Sequence, residues 1–421
     1  MATNYETLIK AFPYKHMLVY KANGMTNKQN LNARKTAYVG ILLLGIVSLM
    51  GDVVYEGAAS ITPNYFEFLG VAGVITGLVF GFGEFLGNAV RLLSGFLADT
   101  TRAYWLFMFL GYSLIISIPL LGFASSLEII VALILLERFG KAIRAPSRDT
   151  VLSVVSRDVG AGKAFGIHEF LDQTGAVLGP LVVSALMFST NNNYGYTFSF
   201  LFLPFLILLA VLTYTYKRIG AKMTVERLKA EKGGEKPPKF FYIYTFAVLM
   251  NTVGLINAKL IIYKASPLLK QTQQQWIAPL LYLFVQLVDA PTALVSGYAY
   301  DKFGTKFLVL PFILSVFPAL FAMGGNELSI FMVALAFSGL VLGMQESVYR
   351  AAVSELTPVS SRSTAYGIFN VVYGLGELVS GLAFGLFIDI QTPLAAVFYA
   401  VAFQIFAVTI LLRVKGEQRA L

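Results

Sequence analysis

With 421 residues, of which 57% are hydrophobic and only 13% charged, the chain carries about half the charge usual for a soluble domain, roughly 25%. That balance excludes a water-soluble enzyme as the bulk of the protein, and the absence of cysteine excludes disulfides and thiolate metal sites. The net charge of +9 invites a nucleic-acid partner, an idea that its distribution along the chain removes.

The first 36 residues are polar and basic, without an apolar core or a small-residue cleavage site, and read as a tail and not a signal peptide. Twelve apolar stretches follow, at 37–58, 71–97, 104–123, 127–147, 161–188, 195–216, 241–263, 273–300, 306–323, 328–350, 363–388 and 393–412. Each is long enough to cross about 30 Å of hydrocarbon as a helix. They predict an all-α membrane protein of twelve transmembrane helices with no room for a soluble catalytic domain. One long hydrophilic connection, 217–240, separates the sixth stretch from the seventh. Its Lys and Arg interleave with Glu226, Glu231 and Glu235, and it closes in Gly233-Gly234 and Pro237-Pro238. Residues 219–232 have the pattern of an amphipathic surface helix or of a solvated linker. The expected organisation is a tail (1–36), a six-helix unit (37–216), a linker (217–240), a second six-helix unit (241–412) and a short tail (413–421).

The basic residues lie mainly on one side of this arrangement. Six fall in the N-terminal tail and eight between Lys217 and Lys239, whereas the opposite loops hold only Lys264 and Lys270. By the positive-inside rule both termini are cytoplasmic. The +9 is therefore a topology signal; the expected surroundings are a lipid bilayer, with no nucleic acid. Without a targeting segment, the expected location is a prokaryotic plasma membrane.

Comparing the halves at an offset near 202 residues aligns Gly95-Phe-Leu-Ala-Asp99 with Gly297-Tyr-Ala-Tyr-Asp301, and then Ala164-Phe165-Gly166-Ile167 with Ala365-Tyr366-Gly367-Ile368, Gly175 with Gly376 and Arg148 with Arg350. Equivalent segments start on the same membrane side, so the repeat is parallel, about an axis along the membrane normal. The run Gly297-x-x-x-Asp301-Lys302-x-Gly304-x-Lys306 resembles the loop signature of the major facilitator superfamily. Gly95-x-x-x-Asp99-x-x-Arg102 is a reduced copy without the glycine. The resemblance implies two pseudo-symmetric six-helix bundles working by alternating access as a monomer, without cofactor or metal. It also implies that both loops bridge the bundles in the outward-facing state. Gly175-x-x-x-Gly179-Pro180 resembles the family's antiporter motif, which implies export in exchange for protons, although small residues every four positions also let membrane helices pack closely. The family's fourth-helix motif has Arg and Gly four apart; here Arg138 precedes Gly140 by two.

An ionised side chain at mid-bilayer costs about 2.5–3.5 kcal/mol, so each one needs a partner, water or a function. Asp52, Glu84, Glu137, Arg138 and Asp172 fall near mid-depth, with His168 four residues before Asp172 on the same helix face. In the second half Asp289 and Glu377 do so, while Lys259 lies further out along the seventh helix, placed to pair with Asp289, to meet a substrate anion or to snorkel outward. Across the repeat Glu84 faces Gln286, Asp52 faces Gly254, His168 faces Phe369 and Asp172 faces Tyr373, which makes the first half the expected protonation module. Glu84 and Asp172 lead that list. Arg91, Lys141, Arg144 and Arg148 read as topology and gating charges, and Tyr55, Phe82, Phe170, Tyr282 and Tyr373 as candidate cavity aromatics. The expected function is secondary transport of a small organic or amphipathic solute, most simply proton-coupled export. Proton symport of an anionic metabolite is the alternative, and behind it a receptor, regulator or scramblase on the same fold. No nucleophile elbow, phosphate loop or His cluster points to an enzyme.

Overall fold

The computed structural model describes residues 27–156, 159–220, 236–358 and 361–418. Among these, twelve helical spans follow one another: α1 (Asn27–Phe68), α2 (Gly73–Thr101), α3 (Tyr104–Phe123), α4 (Leu127–Val155), α5 (Ala161–Ser189), α6 (Tyr194–Ile219), α7 (Lys239–Gln271), α8 (Gln275–Phe303), α9 (Val309–Gly324), α10 (Leu328–Leu356), α11 (Arg362–Asp389) and α12 (Pro393–Gln418). Ten are long and apolar enough to cross a membrane unaided by context, and α9 is a shorter apolar helix. α4 differs because Glu128, Glu137, Arg138, Lys141, Arg144, Arg148 and Asp149 all lie on it; its burial among other helices, not its hydropathy, keeps it in the bundle. Most of the surface helix expected at 219–232 lies outside the described residues, as does the tail before residue 27.

Several helices outrun their predicted ends, α4 reaching Val155, α10 Leu356 and α12 Gln418, and α1 and α7 show how. α1 continues past residue 58 to Phe68, through a polar stretch that looks like a loop in sequence. Ser60 and Thr62 donate their hydroxyls to Gly57 O and Ala58 O, each at 2.6 Å, so the polar groups are satisfied by the helix itself. α7 runs to Gln271 but breaks between Lys239–Val253 and Ala258–Gln271. Asn257 caps the second piece, its side chain accepting from Lys259 N at 2.9 Å. Lys264 and Lys270 are therefore helical, not in a loop.

The packing repeats. In the first half α1 packs on α5 and α6, and α2 on α4; in the second α7 packs on α11 and α12, and α8 on α10. Across the halves α2 packs on α11 and α5 on α8, which is the same pairing read in the two directions, and α1 meets both α7 and α8. The result is the expected pair of pseudo-symmetric six-helix bundles. At the α2/α11 seam the backbones touch: a methyl group on Gly77 would collide with Gly381 O, and one on Gly81 would lie 2.7 Å from Glu377 O. Small residues alone permit this approach. Large apolar side chains such as Leu294, Tyr298, Leu394 and Phe398 point away from the bundles, as a lipid-facing surface requires.

Candidate substrate cavity

Two connected chambers lie between the bundles. The deeper, of about 340 Å³, is walled by Glu84 and Asn88 of α2, Asn257 and Lys259 of α7, Tyr282 and Gln286 of α8, Gln345 and Glu346 of α10 and Tyr373 and Glu377 of α11. The outer, of about 740 Å³, extends from Asp52 and Tyr55 to the exposed Asp99, Asp149 and Glu169 at the end of the molecule that carries the Asp99 and Asp301 loops. That end is called the basic end below. At the other end the bundles are tied together. Asn192 donates to Gln273 O at 3.0 Å and accepts from Trp276 N at 3.1 Å, Ser184 donates to Trp276 O at 2.7 Å, and Asp389 accepts from Gly73 N and Val74 N at 2.6 and 2.8 Å.

At the base of the deeper chamber a chain of ion pairs joins the two bundles. Arg144 Nη2 lies 3.6 Å from Glu137 Oε1, Glu137 Oε2 3.6 Å from Arg138 Nε, Arg138 Nη1 3.5 Å from Glu84 Oε1, and Lys259 Nζ 3.1 Å from the same Glu84 oxygen. Lys259 thus pairs with Glu84 of the opposite bundle. Pairing with Asp289, one of three roles the sequence left open to Lys259, does not occur; Asp289 is buried on α8 with Oδ1 free of hydrogen bonds and with Glu346 as its charged neighbour. Glu377 accepts from Asn257 Nδ2 at 3.0 Å, and Asn257 stands at the break in α7, two residues before Lys259. A second contact between the bundles, Tyr282 OH donating to Glu56 Oε2 at 2.7 Å, lies beside the first.

Tyr55 organises the first-half wall. Its hydroxyl accepts from Lys141 Nζ, and its ring faces Lys141, Arg144 and Arg138 at 3.9, 5.7 and 5.9 Å, distances at which a cation is attracted to an aromatic face. Nearer the basic end Arg148 joins Asp172 and Asp149 at 3.6 and 3.0 Å and donates to Ser48 Oγ at 3.1 Å. Ser48 in turn meets His168 Nε2 at 3.1 Å, which brings the expected His168 and Asp172 together through a serine and an arginine. Asp52 lies among Asp172, Glu56, Lys141 and Arg148.

The loop motifs show why one copy keeps glycine. Gly304 has φ 60° and ψ −150°, a region open to glycine alone. Its repeat equivalent Arg102 takes φ 57° and ψ 18°, the left-handed conformation that other residues tolerate at a cost. The cavity is open at this end, and the loops do not bridge the bundles here: Asp99 accepts from the neighbouring Tyr104 OH at 2.9 Å, while Asp301, Lys302, Lys306 and Arg102 form no ion pair among the described residues. Gly95 and Gly297 sit one turn before these aspartates on α2 and α8. Gly175 and Gly179 of the α5 motif press against the backbone of α1 at Leu49 and Gly57, next to Asp52, with Pro180 following.

Of the expected aromatics, Tyr55, Tyr282 and Tyr373 line the chambers, whereas Phe170 is 71% exposed on the outer surface and Phe82 also faces outward. Sequence reasoning passed over Glu56, Asn257 and Glu346, and read Lys141 and Arg91 as topology and gating charges and not as cavity residues. Glu56 lies four residues after Asp52 and so on the same helix face; with α1 ended at residue 58 it falls two residues from the helix end, at the membrane edge, where a charge calls for no partner.

A pair of repeated six-helix bundles around a charged cavity defines a multi-pass membrane transporter. The sequence model of the Major Facilitator Superfamily matches residues 240–420. An uncharacterized protein of Mycobacterium tuberculosis is 34% identical over 385 residues, covering 88% of this chain and 92% of that protein. An uncharacterized MFS-type transporter of Methanocaldococcus jannaschii is 27% identical over 364 residues, 85% and 90% of the two chains. Among solved structures the nucleoside transporter NupG superposes with a TM-score of 0.71 at 14% identity over 88% of this chain and 99% of that one, a likeness of fold. The chain belongs to the major facilitator superfamily, and these two relatives are prokaryotic.

Proposed function

We propose that this protein is a proton-coupled secondary transporter that works by alternating access, with the basic end in the cytoplasm of a prokaryotic cell, and exports a small organic solute in exchange for protons as a monomer. The observation that carries this reading is the ionic chain from Arg144 through Glu137, Arg138 and Glu84 to Lys259, which couples a carboxylate beside the cavity to the contact between the bundles. At about 4 Å and an effective dielectric near 20, one such pair is worth about 4 kcal/mol before cavity water screens it. Protonating Glu84 removes that attraction from both Lys259 and Arg138, and so favours the arrangement in which α2 and α7 separate. Solute binding next to Glu84 provides the complementary step. The placement of basic residues supports the orientation, and the α5 glycine motif beside Asp52 supports exchange over symport.

The test is a pH reporter sealed inside proteoliposomes challenged with gradients of organic anions, lipophilic cations and sugars. One class should drive protons against its own direction of flow, and Glu84→Gln should reduce that signal more than about tenfold, with Asp172→Asn affecting it as well. Protons moving with the solute would replace exchange by symport. A solute that crosses with no proton signal in the wild type would remove coupling from the proposal.

A further inference from the structure

Five residues line both chambers and so form the neck between them: Asn88, Arg91, Lys141, Arg350 and Asn370. Three are cations. Lys141 is engaged by Tyr55, but Arg91 and Arg350 form no ion pair among the described residues, and Arg91 Nε is buried without a hydrogen-bond partner. Arg91 stands on α2 of the first bundle and Arg350 on α10 of the second, and each lies in the field of the other. The carboxylates within reach are engaged elsewhere: Asp149, the strongest influence on Arg91 among them, pairs with Arg148 at 3.0 Å, Glu346 is shared between Arg350 and Lys141, and Glu84 is already held by Arg138 and Lys259.

We propose that the neck binds the transported solute through an anionic group, a carboxylate or a phosphate, gripped by Arg91 and Arg350 from opposite bundles and flanked by the amides of Asn88 and Asn370. This names the substrate class for the transport reading above and rests on it. Guanidinium groups present paired N–H donors that match either oxyanion. Two arginines on opposite sides of the neck repel, and an anion between them turns the repulsion into attraction on both sides. The solute therefore has more to gain when the bundles approach than when they part, the differential affinity that a ligand needs to shift a conformational equilibrium. The turn that carries Arg350 has unusual geometry. Residues Gln345–Tyr349, immediately before it, form a π-helical turn, a distortion concentrated at functional sites, while the equivalent stretch of α4 before Arg148 is regular α-helix. The wide turn lies where Gln345, Glu346, Tyr349 and Arg350 face the deeper chamber.

Because the chain has no cysteine, Asn370→Cys places a single thiol in the neck of the full-length protein. In nanodiscs of neutral phosphatidylcholine this thiol is reacted with a sulfonate-bearing methanethiosulfonate and with its trimethylammonium counterpart, each rate being normalised to free cysteine. The anionic reagent should be favoured by about tenfold or more. Arg91→Gln and Arg350→Gln should each reduce the preference by about threefold, Arg91→Lys and Arg350→Lys should retain it, and millimolar inorganic phosphate or malonate should slow labelling only while the arginines are present. No preference, a preference for the cationic reagent, or one that survives loss of both arginines would overturn the proposal. So would protection by phosphatidylglycerol in the disc with none by phosphate or malonate, since the anion would then be a lipid headgroup. Labelling uses no gradient, so a proton-silent protein with an anion-selective neck keeps the site and loses the coupling, and proton-coupled transport with a non-selective neck does the reverse.

Discussion

The two bundles solve the same packing problem with different chemistry. Where the first has Glu84, the second has Gln286 at the equivalent place, and both side chains face the deeper chamber. Behind Glu84 the first bundle stacks Arg138, Glu137 and Arg144 at ion-pair distances of 3.5–3.6 Å, and Glu137 Oε1 and Arg144 Nη1 are buried without hydrogen bonds. Behind Gln345 the second bundle stacks amides. Asn251 donates to Gln404 Oε1 at 2.6 Å and Ser315 Oγ at 3.0 Å and accepts from Tyr349 OH at 2.7 Å and Gln345 Nε2 at 3.2 Å, which fills its two donor and two acceptor positions. Tyr373 OH closes the network onto Gln345 at 3.0 Å. A satisfied amide network is rigid and does not titrate, whereas a loosely held ionic chain responds to every change of proton or ion nearby. The contrast is between these two clusters, since the second bundle also carries Glu346 and Glu377 at the chamber and the buried Asp289.

The contrast breaks most visibly at Glu137, which is 3% exposed between two arginines. Glu137→Leu leaves Arg144 buried and unpaired and should destabilise the purified protein by about 3–5 kcal/mol in denaturant unfolding. Adding Arg144→Leu should recover most of the loss, because two apolar groups replace a costly pair; a double variant as weak as the single would mean that Arg144 matters through its ring contacts with Tyr55 and Tyr112. The amide side should cost less. Asn251→Leu orphans polar neighbours but no charge, and about 1–3 kcal/mol is expected, with the pH dependence of transport unaltered. A shift in that pH dependence at little cost in stability would move the responsive element into the second bundle.

How much of this was legible in the sequence follows from the range of the forces involved. Twelve helices, the parallel repeat and the mid-depth carboxylates follow from hydropathy and spacing, which are local properties. The partners of those carboxylates depend on how the bundles meet. Lys259 reaches Glu84, 175 residues away in the chain, and no periodicity encodes that distance. Glu56 was lost for a different reason: Ser60, Thr62 and Pro63 resemble a loop until the hydroxyls are seen to bond back to their own helix. Arg91 and Lys141 follow the positive-inside pattern as well as any topology charge does, and only the shared wall of the two chambers separates the roles.

At the closed end the polarity of the comparison reverses, and there the smallest effect is expected. The bundles exchange clasps: Asn192, after α5, accepts from Trp276 N near the start of α8, and Asp389, ending α11, accepts from Gly73 N and Val74 N at the start of α2. Here the second bundle supplies the charge and the first the neutral amide. A carboxylate on the first N–H groups of a helix is favoured by the helix dipole by about 0.3–1 kcal/mol. Asp389→Asn makes the two clasps chemically alike, so it should leave overall stability nearly unaltered while raising the population opened at this end by about twofold to fivefold. Distances between spin labels placed across that end on α2 and α11 measure it. A distribution identical to that of the wild type would assign closure there to the glycine contacts of α2 and α11, with the aspartate as an ornament of the helix end; a shift much larger than fivefold would make Asp389 a gate in its own right.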